Sequence, residues 1–108
     1  MTLRQLLANS SVSGLSVGKC AAGDDWPKRD VAGYRTTAHA HLHGKHRGWI
    51  CIRRPSDILR KGTRHVSADV LHELAHLIAD SGHTDKWRAV MTELGQPIPK
   101  GYQKRERV

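Results

Sequence analysis

The chain has 108 residues, a formal net charge of +8 and a pI near 10, a length that holds one core of modest size and no second domain of ordinary length. With 38% hydrophobic residues and no Phe, that core must rely on Leu, Val, Ile, Ala and Trp. No apolar run approaches the roughly 18 residues that span a bilayer, and the N-terminal apolar run is too short for a signal peptide, so the expectation is a cytoplasmic protein with no membrane partner.

In chain order, residues 1–30 read as an N-terminal helix and a loop. Leu3, Leu6 and Leu7 share one side of a helix over 2–9, which Asn9-Ser10-Ser11 stops. Residues 10–30 are rich in Ser, Gly and Asp and carry no clear element, although Trp26-Pro27 is expected to plug the edge of the core. Residues 31–54 read as a β-hairpin. Along Tyr34–His43 the side chains alternate, with Ala38, Ala40 and Leu42 on one face and His39, His41 and His43 on the other. Gly44–Gly48, with His46, supplies the turn, and Trp49-Ile50-Cys51-Ile52-Arg53 returns. The histidine face is expected to be solvated, or to border an extended substrate, rather than to hold a second metal. Cys20 and Cys51 read as two small thiols of a reducing compartment, without the pairing of a Cys metal motif.

Pro55 ends the strand, and Ser56–Arg60 forms a single helical turn closed by Gly62. Ser67 caps a helix over 67–80, with Asp69 in its first turn and Ser81-Gly82 as its stop. Val70, Leu71, Leu74, Ala75, Leu77 and Ile78 cover most of its circumference, so the helix is buried. A last helix over 84–95 carries Trp87, Val90, Met91 and Leu94 as its core stripe and ends at Gly95. A basic tail, 96–108, follows with a frayed end. The fold class is α+β.

The buried helix contains His72-Glu73-Leu74-Ala75-His76. Histidines four apart on a helix reach one metal ion from one face. Glu73, beside His72, reaches a water at that ion without being a ligand. This is the pattern of a Zn2+ site with its own general base. A catalytic zinc takes three protein ligands. His83, just past Gly82, is the best third ligand, with Glu93 and Asp80 as alternatives. Tyr102, His65 and Arg64 are candidates by type for stabilising an oxyanion. Between 45 and 64 lie Lys45, Arg47, Arg53, Arg54, Arg60, Lys61 and Arg64 against Asp57 alone. Such a surface attracts polyanions, and Arg47, Arg53, Arg54, Arg60, Lys61 and Arg64 are the candidate nucleic-acid contacts.

His72–His76, followed by Gly82-His83-Thr84-Asp85-Lys86-Trp87 and by Leu94-Gly95, resembles the SprT-like zinc metallopeptidases. The likeness covers roughly residues 31–95, including the order hairpin, short segment, metal helix. It implies a minimal zincin-like domain, with His72, His76 and His83 as zinc ligands and Glu73 as catalytic base. It also implies a hydrolase acting on proteins, in the better-known members proteins associated with DNA. The chain has no cysteine pairs for the zinc ribbon that often accompanies the family. In its small size it is similar to stand-alone peptidases carried by bacteriophages. The expected function is a zinc-dependent endopeptidase. Two alternatives stand beside it: a regulatory peptidase that cleaves one protein, such as a repressor, without touching DNA, and a non-enzymatic, metal-stabilised DNA-binding module.

Overall fold

A computed structural model describes residues 1–9, 11–20, 29 and 32–103. Trp26-Pro27 and the last five residues lie outside the described residues. The architecture is α+β, in the order α1 (Leu3–Leu7), β1 (Ser16–Gly18), β2 (Ala38–Ala40), β3 (Trp49–Ile52), a 3₁₀ turn (Pro55–Asp57), α2 (Ala68–Ala79), α3 (Asp85–Glu93) and a 3₁₀ turn (Lys100–Tyr102).

The expected hairpin is present as the antiparallel pair β2–β3, with Ala38 opposite Ile52, His39 opposite Cys51 and Ala40 opposite Ile50. The sheet is not purely antiparallel, however. A third strand, β1, comes from the Ser/Gly-rich stretch that carries no clear element in the sequence, and it pairs parallel with β3 in the spatial order β1-β3-β2. Gly48 makes this possible. Its φ is +95°, and a Cβ there would lie 2.5 Å from the Ser13 carbonyl oxygen and 2.8 Å from that of Gly14. The Gly48 carbonyl then accepts the first bond of the new strand from Ser16 N–H (3.1 Å). Only a residue without a side chain allows this approach at that φ.

Alternation decides what each face of the sheet carries. Ala38, Ala40, Ile50 and Ile52 face α2 and join Leu6, Val66, Val70, Leu71, Leu74 and Leu77 in one apolar cluster. On its other side α2 packs on α3 through a second cluster of Ala75, Ala79, Trp87, Val90, Met91 and Tyr102. α2 is thus the middle of three layers, which accounts for its nearly continuous apolar surface.

Each helix begins on the side chain that the sequence offers for it. Thr2 and Gln5 form a reciprocal capping box (2.8 and 3.2 Å). Ser67 Oγ accepts from Val70 N–H (3.3 Å), and Thr84 Oγ1 accepts from Trp87 N–H (3.3 Å). The end of α2 differs from expectation. Asp80, not Gly82, takes the left-handed conformation (φ 52°) that closes the helix, a conformation Asp tolerates better than most residues. The tail differs as well: through residue 103 it folds back, and Tyr102 is buried in the second cluster.

Candidate metal centre

α2 places His72 and His76 one turn apart, with ring centroids 5.0 Å from each other. Because the helix closes at Asp80, the chain reverses at once. Ser81 N–H returns to the His76 carbonyl (3.3 Å), and the Ser81 and Thr84 hydroxyls share a 2.7 Å hydrogen bond. His83 is carried on this short turn between α2 and α3. Arg88 of α3 pins the turn, donating to the His83 carbonyl (2.8 Å) and to the Tyr102 carbonyl (3.1 Å).

The result is three imidazoles with one potential ligand atom each, all within 4.8 Å of one another. His72 Nε2 and His83 Nε2 are 3.2 Å apart. Two nitrogens on one tetrahedral zinc, each about 2.0–2.1 Å from it, stand about 3.3 Å apart, so the spacing fits that ion. His76 Nδ1–H donates to the Ser81 carbonyl (2.9 Å). This bond fixes the tautomer and leaves the Nε2 lone pair as the one that could bind a metal, as a hydrogen bond to the other ring nitrogen does for metal-binding histidines.

Trp87 is the floor of the site. It is fully buried. Its ring lies 4.8 Å from that of His72, stacks against His76 (5.2 Å, 20°) and meets His83 edge-on (4.7 Å), while its indole N–H donates to the His72 carbonyl (3.3 Å). Tyr102 closes one side by stacking on His83 (3.8 Å, 13°).

Electrostatics follow from this burial. Desolvation lowers the His72 pKa to about 3, with His76 and His83 adding to the effect. Desolvation also lowers that of His76, partly opposed by hydrogen bonding to the Ser81 and Gly82 backbone. Both imidazoles are therefore held neutral, the form that binds a metal. Burial pushes the Glu73 carboxyl up to about 8, and Asp69 contributes in the same direction. A divalent cation beside Glu73 would oppose this shift and favour the carboxylate. The donor set, the spacing and the adjoining acid all fit a metal ion with zinc's preferences.

The site opens into a cleft of about 450 Å³. Its other wall is residues 34–39 of the β2 segment, with Pro99 at the rim; among the described residues β2 is an edge strand. Compared with protein-family models, curated proteins and solved structures, the chain shows no match.

The candidates divide clearly. His72, Glu73, His76, His83 and Tyr102 line the cleft. Asp80 is exposed and faces Arg47 (3.8 Å), Glu93 is exposed, and His65, also exposed, lies against the N-terminal amine (3.1 Å). Arg64 is exposed and does not line the cleft. Of the basic residues, Arg53 and Arg54 line a groove of about 560 Å³ with Arg29 and Arg35, and this groove shares Arg35, Thr36 and Thr37 with the cleft. Arg60 and Lys61 border a further recess that shares Asp57 with the groove and Asp69 with the cleft, and Arg47 sits in the hairpin turn. Arg29 and Arg35 were not among the expected contacts. An isolated bridge pairs these two residues, so they meet through the fold rather than through a run of charge.

The expectation of a solvated histidine face holds only for His43, which is exposed. His39 and His41 are half-buried beside Cys20 and Cys51, and His46 packs on Trp49 (4.2 Å). His39 also reaches the cleft wall.

Proposed function

We propose that this chain is a zinc-dependent endopeptidase of the SprT-like kind, acting on extended protein segments held on or near nucleic acid. The observation that carries the reading is the convergence of His72, His76 and His83 around one point, beside a buried Glu73, in an open cleft. A structural site would need a fourth protein ligand and would give Glu73 no task.

His72, His76 and His83 would hold the ion. Bound there, zinc supplies Lewis acidity, lowering the pKa of water toward about 7 and polarising a carbonyl. Glu73 takes the proton of the attacking water and passes it to the leaving amine. Ser81 and Trp87 hold the imidazoles in place while this happens. β2, an edge strand among the described residues, runs along the cleft, where a substrate strand can add to the sheet. Tyr102 is the oxyanion-side candidate that the cleft contains. The groove of Arg29, Arg35, Arg53 and Arg54, contiguous with the cleft, supports a polyanion beside the substrate.

The deciding experiment is hydrolysis of protein substrates, with and without DNA, by the wild type and by Glu73→Gln. The expected result is cleavage by the wild type, and zinc retained but cleavage lost in the variant. If the zinc-loaded wild type cleaves no protein in either condition, the peptidase reading fails. DNA affinity that is absent even at low salt would leave the regulatory-peptidase alternative.

A further inference from the structure

We propose that Cys20, His39, His41 and Cys51 form a second metal site: a closed, structural Cys2His2 zinc site that staples the outer face of the sheet. Strand register brings the four residues together. His39 and Cys51 are direct partners across β2 and β3, and Cys51 is also the partner of Gly18 in β1. His41 is two residues along from His39 and so shares its face. Cys20 lies two residues beyond Gly18. The pleat and the pairing thus bring four residues, spread over 32 positions of sequence, to one patch opposite α2.

The donor atoms converge as a metal site requires. One potential ligand atom from each residue lies within 4.8 Å of all the others. Cys20 Sγ and His41 Nε2 are 3.6 Å apart. On a tetrahedral zinc, a sulfur at about 2.3 Å and a nitrogen at about 2.0–2.1 Å stand about 3.6 Å from each other. The cysteines are thiols rather than a disulfide. The surroundings make the same point. Cys51 is 1% exposed yet belongs to neither apolar cluster, and the His39 Nε2 atom is buried. A sheet face that carries two imidazoles and two thiols side by side is the environment a thiophilic, imidazole-binding ion stabilises. Two sulfurs and two nitrogens select zinc over magnesium or calcium, which take oxygen ligands. Four protein ligands leave no position for a substrate, so the role is structural. The ligands come from β2, from β3 and from just beyond β1, so the ion would tie all three strands together.

The test uses the whole chain, produced with zinc and kept reduced. The expected zinc content is two equivalents in the wild type, one in Cys20→Ser/Cys51→Ser and one in His72→Ala/His76→Ala. Replacing zinc with cobalt(II) in the wild type should give thiolate-to-cobalt charge-transfer absorption. That absorption should persist in the His72/His76 variant, where the peptidase site is gone. The cobalt measurement on the wild type decides the question even if the cysteine variant does not fold. A wild type that binds a single equivalent and shows no thiolate absorption overturns the site. So does a Cys20–Cys51 disulfide in protein prepared under reducing conditions. Loss of hydrolysis alone touches the peptidase reading and not this one.

Discussion

α2 and the outer face of the sheet each gather imidazoles, but by different geometry and to different ends. On α2 the spacing is local: a separation of four residues stacks His72 over His76, and one reversal at Asp80 adds His83. On the sheet it is non-local, since Cys20, His39, His41 and Cys51 meet only once three strands have paired in register. The first group has three candidate ligands and opens on a cleft. The second has four, of which Cys51 is buried and the others half-buried. A helix can present a metal with an open face because its backbone is already satisfied. A short three-stranded sheet gains more from an ion that joins its strands.

The contrast can be broken most forcefully at the sheet. Cys20→Ser/Cys51→Ser should lower the thermal midpoint by many degrees or prevent folding, because metal binding in a small domain is part of its folding free energy. His72→Ala/His76→Ala should keep the fold and lose the cleft metal. Calorimetry of the two variants would erase the distinction if both, or neither, shifted strongly. Next in size is Glu73→Gln, for which turnover should fall by about 10²–10⁴, the usual worth of a general acid–base, with zinc content unchanged.

Trp87→Ala removes the floor beneath the three histidines. Loss of a fully buried aromatic costs about 3–5 kcal/mol, which denaturant unfolding would register; a loss of about 0.5 kcal/mol or less, the scale of an ordinary surface change, would mean that Trp87 does not anchor the three histidines. The metal-stripped protein offers a finer probe. The folded pKa of Glu73 is raised, to about 8 from 4.5, so the folded state holds the extra proton between those values. Stability falls as pH rises through that window, by up to about 1.4 kcal/mol per unit. His72 is depressed, to about 3 from 6.5; its contribution is complete above 6.5 and is lost as pH falls. The two slopes oppose each other from 4.5 to 6.5, so the Glu73 decline stands out between 6.5 and 8. Glu73→Gln should flatten that decline in a urea midpoint series. The smallest effect belongs to the groove. Arg53→Ala/Arg54→Ala should weaken DNA binding and reduce its salt slope by about 1 for each phosphate no longer neutralised, while zinc content stays the same.

What the sequence discloses follows the same division. Ser67, the apolar positions of α2 and the His-Glu-x-x-His spacing are all local signals, and the helix and the placing of its histidines were legible from them. Alternation along 38–43 separated the histidine face from the alanine face. It could not say what covers the histidine face, because Cys20 reaches it through a parallel strand three residues long whose partner is more than thirty positions away. Tyr102 was one candidate by type among three. Its place on His83 depends on Arg88 gripping two carbonyls, an arrangement with no signature in sequence. Arg29 and Arg35 were missed because they lie outside the run of charge at 45–64.

The Arg88 clamp also bears on synthesis. The cleft takes its walls from residues 34–39 and from Pro99 and Tyr102, while its histidines lie between them in the chain. Translation adds about 5–20 residues per second, so the three imidazoles exist for seconds before Pro99 and Tyr102 can reach them. A nascent chain therefore carries His72, His76 and His83 before it carries the residues that enclose them, and the finished cleft waits until the segment beyond α3 has docked.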